Sequence, residues 1–253
     1  MIRFVGAGSG AVDLITVRGD RLLRTADVVI YTGSLVNPDL LALTKPGAEL
    51  QNSAHMTLEE VIAAMTDAEE RKLDTVRLHT GDPSLYGAIR EQMDALQERG
   101  IAYEVVPGVS SFCAAAASLG AEYTLPSVSQ SLIITRMAGR TPVPESESID
   151  KLSKHGCSMA VFLSAGMLRE LQTRLLAGSY SEDTPAALVY KASWPEEKAV
   201  PCTVGTLAET GRIHGIDKTA LVLVGDFLNS RYTRSKLYDP AFTTGFRKGA
   251  DAD

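Results

Sequence analysis

The sequence predicts an α/β protein of two domains, with a parallel sheet in the first domain and a mixed sheet in the second. Two observations predict this class. Short apolar runs alternate with helical patterns along the first half of the 253 residues, which is typical of βαβ units and a parallel sheet. The alternation stops over a polar stretch at residues 121–130 and then restarts, but Val200, Val204 and their flanking Pro and Thr residues favour antiparallel strands. We therefore expect domains at 1–125 and 126–240, followed by a loose tail at 241–253.

In the first domain, each predicted strand is a short run of apolar and β-branched residues. These strands are Ile2–Val5, Asp27–Tyr31, Thr75–Leu78 and Tyr103–Val106. Thr57 and Glu60 have the spacing of a capping box, which predicts a helix that ends near residue 71. Two more helices are predicted, one over Tyr86–Arg99 with Gly100 as its C-cap signal, and one over the Ala-rich segment Ser110–Leu119.

In the second domain, strands and helices are predicted by the same signals. The strands are Ser131–Thr135, Met159–Leu163, Ala186–Tyr190, Lys198–Thr203 and Ala220–Val224. The helices are Ser148–His155, Ala165–Leu176 and Gly205–Ile213. The segment Gly139–Glu147 is rich in Pro and Ser and is expected to be a loop.

Composition indicates a globular protein, with 45% hydrophobic and 22% charged residues. No apolar run approaches the ~20 residues that span a bilayer, and Met1–Val5 enters a strand directly, so we expect a cytoplasmic protein without signal peptide or membrane anchor. The formal net charge of −6 argues against nucleic acid as the main partner. It is compatible with an anionic small substrate that is bound by a local cluster of cations.

The cysteines predict neither a disulfide framework nor a metal site. Cys113, Cys157 and Cys202 are odd in number, lie far apart and lack the spacing of metal ligands. We expect buried free thiols, which fit a reducing compartment.

The first of four strand-to-loop junctions is Gly6-Ala7-Gly8-Ser9-Gly10-Ala11, which matches the dinucleotide pattern G-x-G-x-x-G/A. That pattern requires an acidic residue at the end of the second strand to hold the ribose hydroxyls. The second strand here ends in Tyr31-Thr32-Gly33-Ser34, without an acid, and the residues after the glycines resemble a loop. A nicotinamide-dependent oxidoreductase is therefore the disfavoured alternative.

The other junctions also place small or polar residues where strands end. The second is the turn Gly81-Asp82-Pro83, in which Gly81 allows close approach of a ligand and Pro83 fixes the backbone. At the third, Ser110 or Ser111 is a natural N-cap whose hydroxyl and neighbouring amides could also bind a ligand carboxylate. At the fourth, Leu163-Ser164 leads from a strand into a helix. Ligands bind at such strand ends in open α/β sheets.

As an ordered set, these motifs resemble the tetrapyrrole methylases, which use S-adenosylmethionine in cobalamin and sirohaem biosynthesis. The resemblance runs from Ile2 to about Asp226. Segments that resemble the precorrin-4 C(11)-methyltransferase branch are Tyr31–Val36, Ser53–Leu58, Thr135–Pro142 and Tyr190–Pro195. The resemblance implies two αβα domains with an active-site trough between them, a homodimer, and methyl transfer to carbon 11 of precorrin-4 or its cobalt complex.

The resemblance also implies contacts to S-adenosylmethionine, many of them through backbone amides and carbonyls. The implied cofactor residues are Ser9, Thr80, Gly81, Asp82, Leu85, Ser110, Ser111, Leu163, Ser164, Tyr190, Ala192, Ala220 and Leu221. Ser9 is a departure from the family pattern, because many relatives carry proline there. For loss of the ring proton after methylation, Asp82 and His55 are the two candidate bases, and neither excludes a structural role.

The tetrapyrrole substrate carries several carboxylates, so an acidic protein needs local cations to bind it. Arg136, Arg140 and Lys191 follow predicted strand ends and are the candidates, whereas Arg231, Arg234 and Lys236 are better explained as a solvated surface run. Tyr31, Met56 and Trp194 are candidates for packing on the ring, although such side chains more often belong to a core. No metal site is expected. The remaining alternatives are methylation of a different ring carbon and, disfavoured by the net charge, an RNA methylase of the same superfamily.

Overall fold

The structure is a computed structural model that describes residues 1–228 and 232–250. It divides the chain into two units, each with its own sheet and core. The first unit comprises Met1–Ala115 together with Lys191–Glu197. The second comprises Ala116–Tyr190 and the described part of Lys198–Asp253.

The first unit contains a five-stranded sheet in the order β3-β2-β4-β1-β5. Its strands are β1 (Ile2–Gly6), β2 (Val28–Tyr31), β3 (Glu49–Asn52), β4 (Thr75–His79) and β5 (Tyr103–Val106). Every pairing is parallel; Ile2, for example, lies opposite Thr75 of β4 and Tyr103 of β5. All strands therefore end at one edge of the sheet, and the loops after β4, β1 and β5 are neighbours there. The predicted parallel sheet is confirmed.

Helices flank this sheet, and its two faces bury separate clusters. The helices are α1 (Val17–Thr25), α2 (Pro38–Leu41), α3 (Leu58–Glu70), α4 (Arg90–Glu98) and α5 (Ser111–Ser118). Because side chains alternate along a strand, Phe4 packs in the cluster with α3 and α4, and Val5 packs on the opposite side with Leu23 of α1. The capping box of α3 is present as predicted: the Thr57 N–H donates to Glu60 Oε2 at 2.7 Å, and the Glu60 N–H donates to Thr57 Oγ1 at 3.3 Å.

The segment after the Gly81-Asp82-Pro83 turn differs from the prediction. The helix begins at Arg90 and not at Tyr86, because Tyr86 and Ala88 have φ angles of 56° and 48°, outside the right-handed helical region. A Cβ at Gly87 would lie 2.2 Å from the carbonyl oxygen of Pro83, so the chain folds tightly back here. Strand β3 and the bounds of helix α1 were not predicted, and the loop after the first glycines contains a 3-10 turn at Val12–Leu14.

The second unit contains a mixed sheet in the order β6-β7-β10-β8-β9. Its strands are β6 (Leu132–Arg136), β7 (Ser158–Phe162), β8 (Pro185–Tyr190), β9 (Lys198–Thr203) and β10 (Ala220–Val224). Only β6 and β7 are parallel among these strands, which confirms the predicted mixed sheet and the antiparallel β8–β9 pair.

Three helices of the second unit cover a core that includes Met159, Leu171, Leu188 and Val222. They are α6 (Ile149–Leu152), α7 (Leu168–Leu176) and α8 (Leu207–His214). A 3-10 turn flanks each of these helices, inside or beside the range that was predicted for the helix. The predicted helices were therefore too long or began too early. In the part of the chain that the structure describes, no helix is both long and apolar enough to cross a membrane.

The three cysteines are free thiols, as predicted. The expectation that they are buried is wrong for Cys113, which is exposed on α5, whereas Cys157 and Cys202 are half-buried. The Ala-rich pattern of this helix does not distinguish its buried face from its open one.

Candidate functional site

Four glycines bring the loops after β1, β4 and β5 into backbone contact. Gly8 and Gly81 form an antiparallel bridge, in which the Gly81 N–H donates to the Gly8 carbonyl at 2.8 Å. A Cβ at Gly6 would lie 2.5 Å from the Gly108 Cα, and a Cβ at Gly108 would lie 2.1 Å from the Gly81 carbonyl oxygen. We call Gly6, Gly8, Gly81 and Gly108 the glycine cradle. Backbone alone fits here, so the strand ends present amides and carbonyls rather than side chains.

Asp82 links the loop after β4 to the loop after β5 through hydrogen bonds. One carboxylate oxygen accepts hydrogen bonds from the Ser84 N–H at 2.8 Å and the Ser84 hydroxyl at 2.5 Å. The other accepts from the Gly108 N–H at 2.8 Å. Burial raises the pKa of Asp82, but the hydrogen bonds from Ser84 and Gly108 outweigh it, so the net pKa lies below its ordinary value. Asp82 is therefore an ionised, fully engaged carboxylate, and such a group is a weak base.

Two buried polar side chains, which were not predicted from the sequence, hold the C-terminal end of the turn that follows Asp82. Gln92 of α4 donates from Nε2 to the carbonyl of Ala88 at 3.0 Å, and its Oε1 accepts from Arg77 Nε at 3.1 Å. Arg77 also donates to the Ile30 carbonyl of β2 at 3.2 Å. Burial lowers the pKa of Arg77 to about 10, so the guanidinium stays charged at neutral pH. The signal for this pair was a charged residue, Arg77, in the middle of a predicted strand.

His79 is a third buried polar residue that was not predicted as functional from the sequence. Its side chain is 2% exposed and packs against Phe4 at a ring-centroid distance of 6.0 Å, and its Nε2 has no hydrogen-bond partner. Burial, and then the charge of Arg77, lowers the pKa of His79 to about 3. Its carbonyl accepts from the Ala7 N–H at 2.7 Å, next to the glycine cradle. His79 is therefore a neutral imidazole at the base of the cradle.

Apart from Ala192, the other predicted cofactor residues of the first unit lie on the loops that form the glycine cradle. Ser110 is buried, and its Cα lies 3.6 Å from where a Cβ of Gly81 would be, with Ser111 as the first residue of α5. The Thr80 and Thr32 hydroxyls are 3.3 Å apart, and the Leu85 N–H donates to the Asp82 carbonyl at 3.2 Å. The contacts of these residues with a cofactor stay a prediction.

Residues 191–197 return to the first unit and pack on its first glycine loop. The Trp194 indole donates from Nε1 to the Ser9 carbonyl at 3.1 Å. The Ser193 hydroxyl lies 2.8 Å from the Ser9 hydroxyl and accepts from the Ala11 N–H at 3.0 Å. Ala192 is buried beside them, and Lys191 Nζ lies 5.0 Å from the centroid of the Trp194 ring. The structure thus brings the predicted residues Ser9, Lys191, Ala192 and Trp194 together.

The predicted substrate side chains on β2 and after β3 lie at the same edge of the sheet. Tyr31 ends β2, and its carbonyl accepts from the Ser53 hydroxyl at 3.0 Å. Tyr31 and Met56 are half-buried, each packed on a different core cluster. His55 is exposed at the end of a 3-10 turn, and its ring has no hydrogen-bond partner within the described residues.

In the second unit, Ser164 is the most constrained of the predicted cofactor residues. It is fully buried; its hydroxyl donates to the Phe162 carbonyl at 2.6 Å and accepts from the Met137 N–H at 2.9 Å. Leu163, between them, has a φ angle of 52° and is 66% exposed, so its apolar side chain is held out from the strand end. Tyr190 and Ala220 pair across β8 and β10, and Leu221 follows with its side chain buried.

The predicted cations of the second unit differ in their availability. Arg136 donates to the carbonyls of Met137, Thr141 and Pro142 at 2.7–3.2 Å, so its guanidinium shapes the loop that follows β6. Arg140 is exposed on that loop and has no ion-pair or hydrogen-bond partner within the described residues. Arg234 and Lys236 are exposed, as a solvated run would be, whereas Arg231 lies outside the described residues.

Residues 1–228 and 232–250 contain no group of three His, Cys, Asp or Glu side chains that could hold a metal ion. The glycine cradle instead fits a cofactor that binds through backbone amides and carbonyls, because Cβ atoms at its glycines would fill the space between the loops.

A family model and several known sequences match this chain and indicate the same family. The family model described as "Tetrapyrrole (Corrin/Porphyrin) Methylases" matches residues 1–208. A protein of Methanocaldococcus jannaschii named cobalt-precorrin-4 C(11)-methyltransferase is 52% identical over 245 residues, 96% of this chain and 95% of that protein. One of the same name from Priestia megaterium is 49% identical, over 98% of both chains. A precorrin-4 C(11)-methyltransferase of a Sinorhizobium species is 44% identical, over 97% of this chain and 98% of its own.

Solved structures that resemble this chain indicate the same family. The X-ray structure of a cobalamin biosynthetic enzyme, cobalt precorrin-4 methyltransferase, matches with a TM-score of 0.89 and 48% identity, over 90% of this chain and 96% of that chain. A uroporphyrin-III C-methyltransferase from Thermus thermophilus, complexed with S-adenosyl homocysteine, matches with a TM-score of 0.73 and 27% identity, over 90% and 93% of the two chains. The predicted family, fold and methyl-transfer chemistry are confirmed.

Proposed function

The chain belongs to the tetrapyrrole (corrin/porphyrin) methylases, and we propose that it transfers a methyl group from S-adenosylmethionine to carbon 11 of precorrin-4 in its cobalt-bound form. The observation that carries the proposal is the glycine cradle, together with relatives of that activity that match at 52% and 49% identity over nearly the whole chain. Relatives named precorrin-4 C(11)-methyltransferase, without cobalt in the name, match at 44% and 43%, which supports the cobalt form as the first substrate to test.

When bound, S-adenosylmethionine supplies a sulfonium methyl group to a nucleophilic ring carbon. The protein's part is to bind, orient and exclude water, and orientation alone contributes about 7–11 kcal/mol in favourable cases. We assign binding to the cradle backbone and to the sequence-predicted cofactor residues of the first unit, among them Ser110 and Ser111. Asp82 holds the cradle loops in place through its bonds to Ser84 and Gly108.

Transfer of CH3⁺ to the ring carbon is balanced by loss of a proton from elsewhere in the macrocycle, and of the two predicted bases we assign this step to His55. His55 is exposed and its ring has no hydrogen-bond partner within the described residues, whereas both oxygens of Asp82 are occupied. Substrate carboxylates are assigned to Arg140 and Lys191, with Tyr31 and Met56 packing on the ring. Arginine suits carboxylates because its fork can bind both oxygens at once.

The test is mass spectrometry of the product after incubation of the purified protein with S-adenosylmethionine and precorrin-4, with and without cobalt. We expect the tetrapyrrole to gain one methyl group, and to gain it faster in its cobalt form. NMR of the product made with a ¹³C-methyl label then locates the methyl group on carbon 11. The His55→Ala variant is expected to give the same product more slowly, by about 10²-fold or more, because a general base typically contributes that much. If neither form gains a methyl group while the protein binds S-adenosyl homocysteine, the acceptor is wrong and the cofactor assignment stands.

The family resemblance also supports a homodimer in the cytoplasm as part of this proposal. Size-exclusion chromatography with light scattering tests the first point, since a dimer has twice the chain mass of 27.1 kDa. Cell fractionation tests the second.

A further inference from the structure

We propose that Ser193 and Trp194 are positioning residues that hold the first glycine loop, Gly6–Ala11, in the conformation that accepts the cofactor. The inference rests on the proposed function, because it concerns the loop to which S-adenosylmethionine is assigned. We call residues 191–197 the Trp194 strap. From the sequence, Trp194 is a candidate for packing on the tetrapyrrole ring, and the contacts of its side chain point to the glycine loop instead.

The strap forms three hydrogen bonds to two residues of the glycine loop, Ser9 and Ala11. The Ser193 hydroxyl reaches both the Ser9 hydroxyl, at 2.8 Å, and the Ala11 N–H, at 3.0 Å. The Trp194 Nε1–H donates to the Ser9 carbonyl at 3.1 Å. A loop of small residues has few side-chain contacts of its own to fix it, so the bonds to the Ser9 carbonyl and the Ala11 N–H restrict its backbone directly.

The indole ring also occupies the space beside Gly10. A Cβ at Gly10 would lie 2.0 Å from Cδ1 of Trp194, and on its other side the Gly10 carbonyl accepts from Asn37 Nδ2 at 2.9 Å. Gly10 is therefore held between a buried amide and a flat aromatic face. The position of the ring determines the position of the loop, since neither can shift without the other.

The strap itself adopts an unfavourable backbone conformation to make these contacts. Lys191 and Ser193 have φ angles of 45° and 67°, which non-glycine residues rarely adopt. Internal bonds keep the conformation: the Ser193 N–H donates to the Glu197 carboxylate at 2.5 Å, and the Trp194 N–H donates to the Lys191 carbonyl at 2.9 Å. Backbone strain of this kind concentrates where surrounding contacts enforce it, often at ligand sites. In the strap, this backbone conformation directs the Ser193 hydroxyl and the Trp194 indole toward the glycine loop.

Because Trp194 is the single tryptophan of the chain, it reports on this contact directly. The experiment measures the Kd of S-adenosyl homocysteine by titration calorimetry for the wild type, Ser193→Ala, Trp194→Phe and Glu196→Gln. Ser193→Ala removes only the hydroxyl, and Trp194→Phe keeps an aromatic ring but loses the N–H. Glu196→Gln is the matched control, because Glu196 is in the strap but within the described residues its carboxylate pairs only with Lys191, at 3.4 Å.

We expect Ser193→Ala and Trp194→Phe each to weaken binding of S-adenosyl homocysteine by about threefold to tenfold, as the loss of one or two hydrogen bonds implies. Turnover at saturating S-adenosylmethionine should stay within about twofold of the wild type, since the strap is not assigned to the reacting atoms. Glu196→Gln should bind like the wild type. Trp194 emission should shift to longer wavelength in Ser193→Ala, and addition of S-adenosyl homocysteine should move it back toward the wild-type position.

Unchanged Kd values for both Ser193→Ala and Trp194→Phe would overturn the inference. So would a raised KM for the tetrapyrrole in Trp194→Phe with an unchanged Kd for S-adenosyl homocysteine, which is the result that a substrate contact predicts. If Trp194→Phe does not fold, as judged by circular dichroism, Ser193→Ala decides. A wild-type protein that fails to bind S-adenosyl homocysteine refutes the proposed function itself, which is a different observation from wild-type binding with insensitive variants.

Discussion

His79 makes stability depend on pH through a single side chain. Burial lowers its pKa to about 3, against about 6.5 in the unfolded chain, so between these values the unfolded state binds more protons than the folded one. Stability therefore rises with pH in this window and falls as the pH is lowered through it. The slope attributable to one such group is about 1.4 kcal/mol per pH unit.

We expect His79→Phe, which fills the same space without a titrating ring, to remove this part of the pH dependence. Urea unfolding of both proteins at pH 7 and pH 5 measures it, and the stability difference between them should change by about 2 kcal/mol in favour of the variant at pH 5. The carboxylates are common to both proteins and cancel in the comparison. Parallel stability curves for the two proteins would show that His79 titrates normally.

Residues with local signals were the predictable ones. Thr57 and Glu60 form their capping box because both partners lie within one helical turn. The partners of Arg136 are almost as local, but they are backbone carbonyls, and nothing in the sequence marks which carbonyls a loop turns inward. Arg77 and Gln92 are 15 residues apart on a strand and a helix, so their bond depends on packing that no local pattern contains.

At the scale of elements, strands with several apolar or β-branched residues were predicted, and a polar edge strand was missed. The short runs of β1, β2, β4 and β5 carry this signal. β3 is an edge strand whose residues are mostly exposed, so its sequence is too polar to show one. The early start predicted for α4 had a different cause: Tyr86 and Ala88 are compatible with a helix by type, and only the held turn forces positive φ on them.

The glycine cradle is an arrangement of three strand ends, and Gly108 tests it without a backbone-angle effect. We expect Gly108→Ala to push against the Gly81 carbonyl, at a cost of about 1–3 kcal/mol, and to weaken binding of S-adenosyl homocysteine tenfold or more. Gly245→Ala is the matched control, because a Cβ at Gly245 meets nothing within 4 Å. Thermal unfolding and calorimetry measure the two effects, and equal affinities in both variants would show that the three loops can separate without loss of the cofactor site.

At the scale of the whole chain, the order of the loop motifs was sufficient to identify the family, and the alternation of strand and helix patterns was sufficient to predict both sheets. The division of the chain was harder to predict. Lys191–Glu197 joins β8 to β9 of the second unit, yet it is counted with the first unit because Ser193 and Trp194 bond to Ser9 and Ala11. A boundary predicted from a composition shift cannot include a segment that returns.

The net charge of −6 gives the last prediction, which concerns how an acidic protein meets an anionic substrate. At long range the protein repels a polycarboxylate, and salt shortens the reach of that repulsion, from about 30 Å at 0.01 M to about 8 Å at 0.15 M ionic strength. We expect kcat/KM for the tetrapyrrole to rise on the order of threefold over this range, because association is faster when repulsion is screened. Arg140→Gln should lower kcat/KM at every ionic strength, since the local cation acts at short range where salt screens least. Initial rates at subsaturating tetrapyrrole measure both effects. A fall in kcat/KM with salt would instead mean that local cations, and not the overall charge, govern the encounter.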